Sequence, residues 1–203
     1  MIGILSYGIG NVGSIRNMLK KAGAASTIVE TKEELSACDK LILPGVGAFD
    51  TGMDLLQKSG MRQALDAAVQ SGKPLLGICL GMQMLGNASE EGKRPGLGYI
   101  PFQNIRFRLD PAAFKVPHMG WNYVAITDTA DPLVKELTGK QRYYFVHSYH
   151  AQCEDEHDAL MLCDYGYPFT ATVRRGNVWG TQFHPEKSHR FGMALLKNFA
   201  EEC

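Results

Sequence analysis

Leu75-Leu76-Gly77-Ile78-Cys79-Leu80-Gly81-Met82-Gln83 is the stretch from which the rest of the chain can be read. Gly72-Lys73-Pro74 breaks a preceding helical pattern, Pro74 to Ile78 reads as a buried strand, and Leu80 to Leu85 carries helical spacing. Gly77-Ile78-Cys79-Leu80-Gly81 has the form G-x-C-x-G, the cysteine version of a nucleophile elbow. Such a turn holds its central residue in a strained backbone conformation, so the residues two before and two after it must be tiny. The thiol would sit over a helix N-terminus, whose partial positive charge favours the thiolate. The N–H of Leu80 would point where an oxyanion forms. A free cysteine is ordinarily just buried. Strand before, helix after and glycines at both flanks make Cys79 the exception. Cys38, Cys153, Cys163 and Cys203 lack that setting and are given no role.

Outward from this turn, apolar runs alternate with helical patterns, which predicts an α/β fold with an open, mostly parallel sheet. The predicted elements are a strand from Ile2 to Tyr7, a helix from Ser14 to Lys21, and strands from Ala25 to Glu30 and Lys40 to Leu43. One helix is expected from Asp54 to Ser71. From Gly98 to Cys163 the pieces are shorter: Ile105 to Leu109, Tyr123 to Thr127, Tyr143 to Tyr149 and Ala159 to Cys163. They are expected to form an antiparallel meander at the sheet edge. Val178 to Phe183 reads as a closing strand and Phe191 to Glu201 as a closing helix. No repeat or linker interrupts residues 1–203, so a single domain is expected.

The proton shuttle that a thiolate needs should lie late in the chain. Val178 to Phe183 leads directly into His184-Pro185-Glu186. His184 would stand at the end of a strand, where ligands bind in open α/β sheets. Glu186 could orient its imidazole as the third member of a triad does.

Composition narrows the function classes. Lys plus Arg and Asp plus Glu number 21 each in 203 residues, so nothing suggests a nucleic-acid or membrane surface. The five cysteines include no C-x-x-C pair, which argues against a zinc ribbon or a disulfide framework and for a reducing cytoplasm. Met1 runs straight into a strand-like segment, so no signal peptide is expected.

With both segments in hand, the sequence resembles the class I, triad-type glutamine amidotransferases. Within that group it is similar to the glutaminase subunit family of imidazole glycerol phosphate synthase. Further support comes from Tyr7-Gly8-Ile9-Gly10-Asn11, Leu43-Pro44-Gly45-Val46-Gly47, Met119-Gly120-Trp121-Asn122 and Phe145-Val146-His147-Ser148-Tyr149. The resemblance implies a flavodoxin-like sheet and the catalytic residues Cys79, His184 and Glu186. It also implies oxyanion donors at Leu80 and in the Gly45-Val46-Gly47 loop, with a peptide flip there switching the enzyme on. Glutamine would be held by Gln83, Ser148 and Tyr149; Ser148 stands where some relatives carry threonine. Asn11, Trp121, Tyr144 and Lys187 would face a (β/α)8-barrel cyclase subunit that receives the ammonia. For Trp121 and Tyr144, ordinary core packing is an equally good expectation. No cofactor and no metal are implied.

Other readings compete. Gly8-Ile9-Gly10-Asn11-Val12-Gly13 is a literal G-x-G-x-x-G, with Glu30 placed as an acidic ribose partner would be, and taken alone it suggests a dinucleotide-binding oxidoreductase. A dehydrogenase would have no need of the nucleophile and base. A hydrolase that transfers nothing, a non-catalytic relative, or a glutaminase serving a different synthase would share the fold. His147 and His150 spell H-x-x-H, with Cys153, His157 and Cys163 nearby, but residues three apart on one strand face opposite sides.

Overall fold

The computed structural model describes all residues 1–203. The strands are β1 (Ile2–Leu5), β2 (Ser26–Val29), β3 (Lys40–Gly45), β4 (Leu75–Cys79), β5 (Ala88–Ser89), β6 (Phe102–Arg106), β7 (His118–Ile126), β8 (Gln141–His147), β9 (Tyr149–Cys153), β10 (Ala159–Asp164), β11 (Pro168–Arg175) and β12 (Val178–Thr181). The helices are α1 (Val12–Lys21), α2 (Lys32–Ser36), α3 (Phe49–Lys58), α4 (Arg62–Gln70), α5 (Leu80–Met84) and α6 (His189–Glu201). All twelve strands join one sheet, with main order β2-β1-β3-β4-β12-β11-β10-β7-β8.

β1, β2, β3, β4 and β12 run parallel, and β3 and β4 bury every residue from Leu41 to Gly45 and from Leu75 to Cys79. Continuous apolar runs of this kind need helices on both faces. One core gathers Leu5, Leu41, Leu43 and Leu75 under α3, α4 and α5 through Phe49, Leu56, Leu65 and Leu80. The other gathers Ile2, Ile4, Ile42 and Leu76 under α1 and α6 through Ile15, Leu19, Leu195 and Phe199. The alternation along each strand sorts its side chains between the two cores. The order β2-β1-β3-β4-β12 is that of flavodoxin-like sheets, as expected, whereas a dinucleotide-binding sheet places β1 beside β4. No helix is long and apolar enough to cross a membrane.

Several expected boundaries are corrected. The single helix from Asp54 to Ser71 is two, α3 and α4, because Gly60 takes φ 74° and ends the first. α3 also begins earlier, at Phe49, whose N–H donates to Glu91 Oε2, while Asp50 accepts from the N–H groups of Lys93 and Arg94. The polar segment 90–96 thus anchors the helix start, a contact across some forty residues that local pattern cannot show. The expected strand from Tyr143 to Tyr149 is cut at Ser148 into β8, paired with β7, and β9, paired with β6 and β11. β11 was not expected at all. It bridges β10 and β12; of the strands expected in the meander, β7, β8 and β10 are antiparallel neighbours at the sheet edge, while β6 branches off to pair with β5 and β9.

The Gly8 to Gly13 loop is a brace. A Cβ on Gly10 would come within 2.9 Å of Pro44, and Tyr7 Oη donates to the Pro44 carbonyl at 2.6 Å. Glu30 is exposed, and its own N–H caps on Glu34 at the start of α2.

Candidate active site

Parallel strands put their C-terminal ends on one edge of the sheet, and the candidate residues collect there. Gly45 pairs with Cys79 and Ile78 pairs with Thr181, so the chain beyond β12 passes beside the turn after β4. Cys79 closes β4 and immediately precedes α5, at φ 56° and ψ −110°. That conformation is costly for any residue with a Cβ and persists only where the surroundings impose it. The surroundings here are backbone. A Cβ on Gly81 would lie 1.9 Å from the Leu43 carbonyl oxygen, and one on Gly77 2.7 Å from the Gly81 oxygen. Glycine at both flanks is what lets α5 fold back against β3 and lift the thiol above the strand end.

His184 follows β12 by three residues and is held by its backbone. Its N–H donates to the Tyr144 carbonyl at 3.0 Å. Ser188 Oγ donates to the His184 carbonyl at 2.6 Å and accepts from the Tyr144 N–H at 3.0 Å. His184 is therefore pinned to β8 rather than carried on a free loop. Its Nδ1–H donates to Glu186 Oε1 at 2.8 Å, and both side chains are buried. With Nδ1 committed, Nε2 is the nitrogen left for chemistry, and it has no hydrogen-bond partner of its own. Burial alone would lower the His184 pKa, but the Cys79 sulfur and the Glu186 carboxylate outweigh it and raise the pKa to about 9. The charged form of the ring is thereby favoured over the neutral one.

A cavity of about 370 Å³ opens over the thiol, lined by Val46, Gly47, Cys79, Leu80, Gln83, Glu91, Ser148, Tyr149, His184 and Lys187 among others. That size suits a small polar ligand. The oxyanion candidates Leu80, Val46 and Gly47 share this cavity with the glutamine-site candidates Gln83, Ser148 and Tyr149. Gly45 lies just beneath it, where a Cβ would come within 2.8 Å of the Gly81 nitrogen. Gly47 takes φ 99°, which a glycine adopts at little cost. The other cysteines have no such setting: burial raises the pKa of Cys38, that of Cys153 to about 11, and those of Cys163 and Cys203 to about 12.

Of the expected partner-facing residues, Trp121, Tyr144 and Lys187 come together beside the cavity mouth. The Trp121 and Tyr144 rings are 6.3 Å apart, and Lys187 Nζ lies 6.0 Å from the Tyr144 ring centre. Trp121 is 41% exposed and stacks on His189, and Tyr144 is only half buried, so core packing is not their environment. Asn11 immediately precedes α1, which packs against the turn 185–187. The expectation for His147 and His150 needs correction. With the strand cut at Ser148 they do not face apart; both rings contact Phe107, at 5.1 and 4.8 Å between centres. No group of three or more His, Cys, Asp or Glu is arranged to hold a metal ion.

Sequence reasoning passed over Gln182 and Ser188. Gln182 is wholly buried, with its Nε2 3.9 Å from the Cys79 sulfur. A glutamine inside the apolar run Trp179-Gly180-Thr181-Gln182-Phe183 was a readable signal, since buried amides need partners.

Residues 4–203 match the family model for class-I glutamine amidotransferases. The chain is 51% identical to an imidazole glycerol phosphate synthase subunit HisH 2 of Pseudomonas aeruginosa, covering 99% of both chains. It is 49% identical to a subunit of the same name from Methanococcus maripaludis, over the whole length of each. A solved glutamine amidotransferase superposes with a TM-score of 0.76 at 23% identity, covering 98% of this chain and 97% of that one, a likeness of fold. A family model spanning almost every residue, relatives near half identity end to end, and a cysteine elbow facing a histidine–glutamate pair converge: the chain belongs to the class-I glutamine amidotransferases.

Proposed function

We propose that this protein is the glutaminase subunit of an imidazole glycerol phosphate synthase, a single domain that releases ammonia from glutamine for a cyclase partner. The observation that carries the reading is Cys79 at a strained strand end, sharing one cavity with a His184 ring held by Glu186.

In this mechanism the Cys79 sulfur attacks the side-chain amide carbon of glutamine. The developing oxyanion is stabilised by the N–H of Leu80 and by N–H groups of the Gly45-Val46-Gly47 loop, whose glycines permit the peptide flip that switches the enzyme on. The C–N bond then breaks, His184 gives its Nε2 proton to the leaving nitrogen, and ammonia departs from a γ-glutamyl thioester. His184 next takes a proton from water, which attacks the thioester and releases glutamate. Gln83, Ser148 and Tyr149 hold the α-amino and carboxylate ends. Both N–H groups of the Gln83 amide are used inside the protein, which leaves its oxygen to accept from the substrate ammonium.

The exposed Trp121, with Tyr144, Lys187 and Asn11, forms the face toward a (β/α)8-barrel cyclase, which turns a phosphoribulosyl formimino-carboxamide nucleotide into imidazole glycerol phosphate and an aminoimidazole carboxamide ribotide. Five free cysteines are in keeping with a reducing cytoplasm. The test is to purify the chain with such a cyclase and follow glutamine-dependent product formation. Glutamine hydrolysis should rise steeply once cyclase and its nucleotide are added. Equal rates with and without them would remove both switch and partner.

Glu186→Gln should slow hydrolysis less than His184→Ala, by about tenfold or more, because orientation matters less than proton transfer. Since His184 must be protonated to release ammonia and its pKa is raised to about 9, activity should fall as pH climbs through about 9. The contribution of that charge to stability is complete below about 6.5 and is lost over the same climb. Removing the carboxylate should move the alkaline limb to lower pH; a limb unmoved in Glu186→Gln would detach Glu186 from His184.

A further inference from the structure

Three buried histidines outside the triad, His118, His147 and His150, pack around Phe107 close behind the cavity. Burial lowers the pKa of His118 to about 4 and that of His147 to about 3, so both rings are neutral at physiological pH. A neutral imidazole has one donor and one acceptor nitrogen, and here the neighbours decide which is which. His147 Nδ1 faces the Tyr149 carbonyl oxygen at 2.8 Å, and a carbonyl can only accept, so Nδ1 carries the hydrogen. His147 Nε2 is therefore an acceptor, and His118 Nδ1, 3.0 Å away, donates to it. His118 Nε2 in turn accepts from Asn122 Nδ2 at 3.3 Å.

On its other side the Tyr149 carbonyl accepts a second hydrogen bond, from Gln83 Nε2 at 3.2 Å. The second hydrogen of that amide goes to Gln182 Oε1 at 3.0 Å. With its oxygen engaged, Gln182 presents its NH₂ to the Cys79 sulfur at 3.9 Å. From His118 to Gln182 each contact pairs a donor with an acceptor, and the direction is set throughout. Turning the Gln182 amide over would put an oxygen lone pair against the sulfur and leave two amide NH₂ groups facing each other.

We propose that His147, itself held by His118, is a positioning residue for the nucleophile: it fixes the Tyr149 carbonyl so that Gln83 and Gln182 present an N–H to the Cys79 sulfur. The proposal rests on the reading of Cys79 as nucleophile. The series begins in β7 beside the exposed Trp121 and ends at the reacting sulfur, and it spans strands that come together only in the folded sheet.

The test uses the complex with the cyclase and reads Cys79 directly, by its rate of alkylation with iodoacetamide, alongside glutamine turnover. His147→Phe keeps a ring among Phe107, Phe145 and Phe169 but removes both nitrogens. It should slow Cys79 alkylation and turnover by about tenfold, the worth of one buried hydrogen bond. His147→Asn, whose amide N–H can occupy the Nδ1 position, should recover most of the loss. Gln182→Met should show a similar loss, and the double variant Gln182→Met/His147→Phe should be no slower than the worse single one, because the two act through one path. Should His147→Phe not fold, His118→Phe, which keeps a ring stacked between Phe145 and Tyr165, carries the same comparison. Alkylation at the wild-type rate in the phenylalanine variant, no rescue by asparagine, or fully additive losses would each overturn the proposal. Undiminished hydrolysis in Cys79→Ala would instead overturn the nucleophile reading beneath it.

Discussion

Replacing Cys79 with alanine should abolish glutamine hydrolysis, a fall of up to about 10⁶-fold in kcat, while the chain stays folded and still binds its partner. The loss is expected to be this large because the substitution removes the only atom that forms the thioester. His184 and the oxyanion donors can still polarise a bound amide, but a water attacking in place of sulfur is neither bonded nor positioned. The fold should survive because alanine keeps the Cβ. The strained backbone at φ 56° is imposed by β3 and α5, so it costs the two residues about the same. The variant should also lower the His184 pKa, since the sulfur helps to raise it and burial acts the other way. Glutamate release measured in the saturated complex, co-purification with the partner, a thermal melt and an NMR titration of His184 test the four expectations. Hydrolysis near the wild-type rate would end the mechanism.

The second large effect is expected at Gly81. Alanine there would set its Cβ 1.9 Å from the Leu43 carbonyl oxygen and 2.9 Å from the Leu43 carbonyl carbon. These are backbone atoms of a central strand, so no side-chain rotation can relieve the overlap. α5 would have to move off β3 and carry the Cys79 turn with it. Overpacking of this kind costs about 3 kcal/mol of stability. Displacing the sulfur by about 1 Å should cost roughly 10²-fold in turnover even in molecules that fold. Urea unfolding and glutaminase assays report the two effects separately. Gly13→Ala makes the control: it lies in α1 with nothing within 4 Å of the added methyl, and should be neutral or stabilising by up to about 1 kcal/mol. Gly81→Ala as stable and active as the parent would show that the elbow does not need its glycine.

The elbow and the base were legible because their signals are local. Glycines two residues to either side of Cys79, a strand before it and a helix after it are all contained in nine consecutive residues. His184-Pro185-Glu186 follows its strand within three residues, although that strand ends at Thr181 rather than at the expected Phe183. The parallel half of the sheet was legible for the same reason, since buried strands there are short continuous apolar runs. Signals that cancel locally were lost. Gly60 divides α3 from α4 inside what reads as one periodic helix, and Ser148 divides β8 from β9 inside what reads as one strand. Thr31 and Glu34 form a full capping box at α2, a local signal that was simply passed over.

What the sequence by itself determined is the candidate chemistry: a cysteine at a strained strand-to-helix turn and a histidine–glutamate pair after a later strand, because each is a short-range pattern of residue types. What only the tertiary structure decided is the company these groups keep. Gln182 reaches the sulfur from just beyond β12, Ser188 ties His184 to β8, and His118 and His147 meet across the β7–β8 pair. Hydrogen bonds between strands distant in sequence depend on register, and register is set when apolar faces are buried together, not by the residues at either end of the bond.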